Sequence, residues 1–189
     1  MPSFQTVRCG TLDYRNQDVI HFPKGLVGMP ELRDWLILDM EDGVPLKWFQ
    51  SLDRGDFGFP VAQPGFYADP YDPGLTDRIL PELGTPRPED LAVLIITRVH
   101  PGGQKITGNL LSPLVIGTDS RLGCQWTGDD ATLPMQQEIN YLKFGLAVDP
   151  DSSENGPRVA DAVECIHSTT DTGESTVRPA AEEPEPAGV

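Results

Sequence analysis

Apolar residues in this chain fall into short runs rich in β-branched and aromatic side chains, and each run ends at a cluster of glycine, proline or aspartate. Runs of this kind between turn signals predict strands. They are QDVIHF (17–22), WLILDM (35–40), LKWFQSL (46–52), FGFPVA (57–62), LAVLIITRV (91–99), QKITGNL (104–110), PLVIGT (113–118) and LGCQWT (122–127). No long amphipathic segments alternate with them, which argues against a parallel sheet wrapped in helices. Two short helices are predicted. One lies within TDRILPEL (76–83); the other is PMQQEINYLKF (134–144), where Met135, Ile139 and Leu142 follow i, i+4, i+7 spacing. A final short strand fits that second stretch as well. The pattern predicts an all-β fold, a compact β-barrel-like single domain with one or two short helices.

One stretch breaks the strand pattern. In TGNLLSP (107–113), Asn109 and Pro113 interrupt the most apolar part of the chain. Asparagine tolerates unusual backbone angles and bonds nearby backbone groups, while proline cannot donate to a ladder. A bend between two strands is therefore expected, pinned by Asn109, with Leu110 and Leu111 on opposite faces. In LKWFQSL the polar Gln50 and Ser51 stand among apolar residues, and if buried they need hydrogen-bond partners.

Composition changes the picture after Val148. Residues 149–189 carry ten acidic side chains against two arginines and no Leu, Phe, Trp or Tyr. Such a segment cannot bury enough apolar surface to offset its ordering entropy, so a disordered acidic tail is expected. Residues 1–148 are expected to form the folded domain. The whole chain has a formal charge of −15. Direct nucleic-acid binding, which needs a basic surface, is not expected; a basic protein partner fits better. Cys9, Cys124 and Cys165 are far apart and odd in number, which suits reduced thiols in a cytoplasmic protein. No apolar stretch has the length of a signal peptide or a membrane span, so a membrane role is not expected either.

Motifs of catalysis are not found: there is no nucleophile elbow, phosphate loop, zinc helix or dinucleotide fingerprint. His21, His100 and His167 share no metal-ligand spacing. In QPGFYADPYDPG (63–74), Asp69 and Asp72 read as loop aspartates bonding their own backbone, while Phe66, Tyr67 and Tyr71 anchor the loop. A cation site there lacks the ladder of oxygen ligands that calcium needs. An enzyme is not expected.

Three stretches, in order, resemble the FliW family of flagellar assembly factors. They are IHFPKGLVGMPELRDWLIL (20–38), WFQSLDRGDFGFPVAQPGFYADPY (48–71) and LAVLIITRVHPGGQKITGNLLSPLVIGTDSRLGCQ (91–125). Gly108 stands where the family carries a small residue, usually alanine, and the acidic tail lies beyond the usual family end.

The resemblance implies a small β-barrel-like protein of the bacterial cytoplasm with no catalytic residues and no cofactor. It implies binding to the RNA-binding translational regulator CsrA, relief of its repression of flagellin synthesis, and flagellin as the competing partner. A monomer is expected when free. Partner-contact candidates are Gln50, Ser51, Phe66, Tyr67, Asp69, Tyr71, Asn109 and Leu110. For Gln50, Ser51 and Asn109 a purely architectural role competes with contact, and a core role competes for the loop aromatics. One rival reading is a flagellin chaperone that never meets CsrA. Another is a flavin-binding split-barrel oxidoreductase, for which the basic residues are too scattered to form a phosphate site.

Overall fold

A computed structural model describes residues 1–40, 45–101, 105–128 and 132–140. The tail expected from residue 149 lies outside the described residues, as does Cys165. Ten strands account for most of the regular structure: β1 (Ser3–Gln5), β2 (Thr11–Asp13), β3 (Ile20–His21), β4 (Asp34–Asp39), β5 (Lys47–Ser51), β6 (Gly58–Ala62), β7 (Leu91–Val99), β8 (Ile106–Gly117), β9 (Gly123–Gln125) and β10 (Gln137–Glu138). One short helix, α1 (Ile79–Glu82), stands where TDRILPEL predicts it.

β1 and β2 form a separate antiparallel hairpin. The other eight strands make one sheet in the order β10-β8-β7-β6-β5-β4-β3, with β9 also paired to β8. The sheet curls until its ends meet. His21 of β3 forms a parallel bridge with Leu122, just before β9, and its N–H donates to Arg121 O at 2.8 Å. Arg121 holds this seam with φ 57°, donating through Nε to Gln17 O at 3.1 Å and through Nη2 to Asp18 O at 3.3 Å. The architecture is a curled, barrel-like all-β domain with very little helix.

Alternation along the strands sends apolar side chains to both faces. Inside the curl, Ile20, Phe22, Trp35, Phe49, Val61, Leu114 and Ile116 form one buried cluster. Trp35 stacks on Phe49 at 4.6 Å with a 4° interplanar angle, and Phe22 meets both edge-on. Gly123 faces the Phe22 ring so closely that an added Cβ would overlap it; β9 can close the curl there only without a side chain. Outside, Trp48, Ala62, Tyr67, Ile95, Ile106, Leu110 and Ile139 form a second cluster, covered by the 63–71 loop and β10. A third, around Ile79, Leu83 and Val115, lies under α1.

Two expectations change. The stretch 134–140 takes the strand alternative and not the helix, Gln137 and Glu138 pairing with Gly108 and Thr107 as β10; residues 141–144 of the predicted helix lie outside the described residues. Met135, the first residue of the supposed apolar stripe, is 62% exposed, whereas Ile139 is buried. Pairing to an open strand edge outweighs a weak local preference. Second, QKITGNL and PLVIGT are one strand, β8, and not two. The predicted bend survives as a bulge within it. Pairing with β7 passes from Leu94↔Leu114 to Ile96↔Asn109, so that Ile95 alone faces the span from Leu110 to Pro113.

Candidate functional site: the aromatic loop on the β8 bulge

Asn109 accepts from the N–H groups of Leu111 and Ser112 through Oδ1, at 3.2 and 3.3 Å. This is the local bonding that asparagine supplies in turns, and it satisfies two donors the bulge removes from the ladder. Leu110 N donates outward to Pro134 O at 3.0 Å, and Trp126 N donates to Pro113 O at 2.9 Å. The bulge is therefore bonded on all sides, and it offers the Leu110 carbonyl to the loop above.

That loop begins as a tight turn, with Tyr67 N and Ala68 N both donating to Pro64 O. Tyr67 then turns inward. Its ring is buried, and its hydroxyl lies 2.6 Å from Thr97 Oγ1. The ring occupies space that a side chain at 108 would take. A Cβ on Gly108 would sit 2.7 Å from two Tyr67 ring carbons and 2.6 Å from Ile95 Cγ2. Tyr71, half-buried, donates its hydroxyl to Leu110 O at 2.7 Å. Burial, with the Asp72 charge second, pushes the Tyr71 phenol up to about 12. Asp72 accepts from Gly74 N at 2.8 Å, the backbone role expected of a loop aspartate. Asp69, followed by a cis bond to Pro70, is exposed.

The structure brings Phe66, Tyr67, Tyr71 and Leu110 into one cluster. Of these, Tyr67 and Leu110 are buried and act as supports, while Phe66 and Tyr71 keep part of their surface, next to exposed Asp69. Gln50 and Ser51 are a correction to the contact assignment, because they are 1% and 0% exposed and have no surface to offer. Gln50 Oε1 accepts from Trp48 Nε1 at 3.0 Å, and its Nε2 donates to Ser51 O at 3.0 Å and Phe57 O at 2.9 Å. Ser51 Oγ accepts from Asp53 N and Arg54 N, each at 3.1 Å. Together they shape the 52–57 turn, whose Arg54 and Asp56 pair with each other at 2.7 Å.

A feature without a signal in the sequence lies elsewhere. A cavity of about 340 Å³ opens between the 22–24 turn, α1 and β9, lined by Pro23, Lys24, Glu82, Leu83, Gly123 and Cys124. Lys24 Nζ and Glu82 Oε2 meet at 2.9 Å across residues far apart in sequence. Burial, and then the Glu82 charge, push the Cys124 thiol up to about 11, against a smaller opposing effect of Lys24. Among the described residues, no group of three or more His, Cys, Asp or Glu side chains could hold a metal ion. No helix among them is long and apolar enough to cross a membrane.

A small curled sheet with a loop braced on a strand bulge defines a class of all-β protein, and comparison with known proteins places the chain within it. Residues 3–139 match the family model described as FliW protein, and the chain belongs to the FliW family. The flagellar assembly factor FliW of Syntrophus aciditrophicus is 31% identical over 134 residues, covering 71% of this chain and 85% of that protein. Its namesake in Lachnoclostridium phytofermentans is 28% identical over 142 residues, covering 74% and 90%. A crystal structure of the flagellar assembly factor FliW superposes with a TM-score of 0.67 at 26% identity, covering 72% of this chain and 96% of that one. The family is one of flagellar assembly factors, and the sequence resemblance is borne out in family and fold.

Proposed function

We propose that this chain is a cytoplasmic, non-enzymatic partner-binding protein of flagellar assembly. In this reading it binds a CsrA-type RNA-binding regulator, relieves the repression of flagellin synthesis, and is competed for by flagellin. The observation that carries the reading is the match of residues 3–139 to a family whose relatives are named flagellar assembly factors. The charge balance agrees with it: a chain at −15 is drawn to the basic surface with which a regulator holds RNA, and repels the RNA itself. Steering of this kind raises association rates, while affinity comes from an apolar centre. Phe66 and Tyr71 are the accessible apolar members of the loop cluster, and Asp69 is the adjacent carboxylate. Asn109 acts on such a contact by holding the bulge, and Gln50, Ser51, Tyr67 and Leu110 act from the interior.

Calorimetry of the full chain with a purified CsrA-type regulator and, separately, with flagellin tests the reading. Binding to each, with either displacing the other, is expected. Release of RNA from the regulator should accompany the first. Binding to flagellin alone would leave a chaperone, and binding to neither would overturn the proposal.

A further inference from the structure

Most exposed cations on this body already have a carboxylate: Arg15, Lys24, Lys47, Arg54 and Arg87 each sit in an ion pair. The far end of the β7–β8 hairpin differs. Arg98 pairs in register with Thr107, and His100 N donates to Lys105 O at 2.8 Å one step further along. Alternation therefore puts Arg98, His100 and Lys105 on one face of the two strands. Arg98 and Lys105 are exposed, and among the described residues neither makes an ion pair. The His100 ring is occupied from below, with Nε2 3.0 Å from Thr107 Oγ1. The carboxylate that shares this face is Glu138, opposite Thr107 on β10. Half-buried Ile96 continues the same face beside Arg98. Among the described residues Arg33 and Arg78 also make no ion pair, but neither stands in a strand pair with a second cation.

The described chain stops at the same end of the sheet, next to the edge of β8 and against the loop that covers the opposite face. Ile139 N donates to Ile106 O at 3.1 Å, and Asn140, the last described residue, donates to Phe66 O at 2.7 Å. Nine residues further on, the segment opens with Asp149, Asp151 and Glu154 and continues with Asp161 and Glu164, against Arg158 alone. A linker of that length reaches up to about 30 Å, so those carboxylates stay at an effective concentration of order millimolar to the end of the sheet where the chain leaves the fold. Val159 and Val163 lie between them as apolar counterparts for Ile96.

We propose that the acidic segment 149–164 docks on its own body, along the face formed by Arg98, His100 and Lys105. The docked segment is the resident acidic ligand of that face, and another acidic chain must displace it to reach Arg98 and Lys105. This contact is independent of the partner reading above: it stands or falls on the chain alone.

The tail carries a natural attachment point in Cys165. With Cys9→Ala and Cys124→Ala in the full chain, a nitroxide on Cys165 reports which amides the tail approaches. Broadening should be strongest at residues 96–100 and 105–109. It should fall at least about fivefold when salt rises from about 0.05 M to about 0.5 M, where the screening length drops severalfold. Arg98→Gln with Lys105→Gln should cause the same loss without salt. Broadening that is uniform, centred elsewhere, or insensitive to both changes would overturn the proposal. So would broadening that appears only when labelled chain is mixed with a second, isotope-enriched copy, since the tail would then belong to a neighbour. Should the cysteine replacements fail to fold, amide shifts of the unmodified chain replace the label. Shifts at residues 96–100 and 105–109 that respond to the same salt change and the same Arg98/Lys105 variant support docking; their absence overturns it.

Discussion

Gln50→Leu keeps the side chain's approximate size while deleting its amide. Gln50 is 1% exposed and Trp48 5%, so water does not replace what is lost. The indole N–H of Trp48 loses its acceptor at 3.0 Å, an orphaned buried donor costing about 1–3 kcal/mol. Ser51 O and Phe57 O each lose a donor, at about 0.5–1.5 kcal/mol apiece. Phe57 O keeps its bond from Ser51 N, which puts its share at the low end. Leucine recovers about 1–2 kcal/mol because the buried amide no longer needs desolvating. Mid-range values combine to a net destabilisation of about 2 kcal/mol, a fall in Tm of about 5–10 °C for a domain of this size. Thermal and urea unfolding of the single variant measure it. A double-mutant cycle with Trp48→Phe isolates the indole contribution, because the paired variant no longer has a donor to orphan. A coupling near zero would refute the assignment of Gln50 as the internal bonding centre of β5.

Gly108→Ala should destabilise by about 1–3 kcal/mol, since its Cβ would overlap Tyr67 and Ile95. Tyr67→Leu in the same chain should recover part of this, and chemical denaturation checks both. Tyr71→Phe removes the bond to Leu110 O, worth about 0.5–1.5 kcal/mol near neutral pH. It should also flatten the alkaline limb of the stability profile. The folded phenol titrates near about 12 and an unfolded one near about 10, so the contribution is whole below pH 10 and is lost as pH rises through that window. Arg121→Ala should speed amide exchange at His21 and the residues beside it, by removing the bonds to Gln17 O and Asp18 O. Arg54→Ala, which breaks an exposed pair, should leave the urea unfolding midpoint essentially unchanged.

The strand pattern is legible because each run alternates over several residues between strong turn signals; the runs from Trp35 to Gln125 contain strand where their apolar residues peak. QDVIHF yields less strand than its length predicts, since only Ile20 and His21 pair. β1 and β2 escape a reading along the chain because each is three residues with one partly buried apolar side chain, Phe4 and Leu12, too short for a period. The stretch around β10 resembles helix because Met135 and Ile139 fit a spacing that tertiary pairing overrides; Leu142, the third residue of that spacing, lies outside the described residues. The site is legible in part. Asn109 marks the bulge correctly, but residue type cannot reveal that four residues there oppose one. Gln50 and Ser51 show only that they are polar among apolar neighbours. Their complete burial is a property of what folds over them. The Lys24–Glu82 cavity joins segments with no shared local pattern, so no reading along the chain could assemble it.

The seam between β3 and β9 sets where this fold yields first. Among the described residues every other junction in the wall is an antiparallel ladder, whereas this one is a single parallel bridge braced by two side chains, Arg121 on Gln17 O and Asp18 O and Gln125 on Val27 N. Heat or pulling force should therefore unzip the cylinder into a flat ribbon from that line before any ladder parts. A ribbon so exposed has two unsatisfied borders, making the earliest opened form also the one most prone to stick to its neighbours.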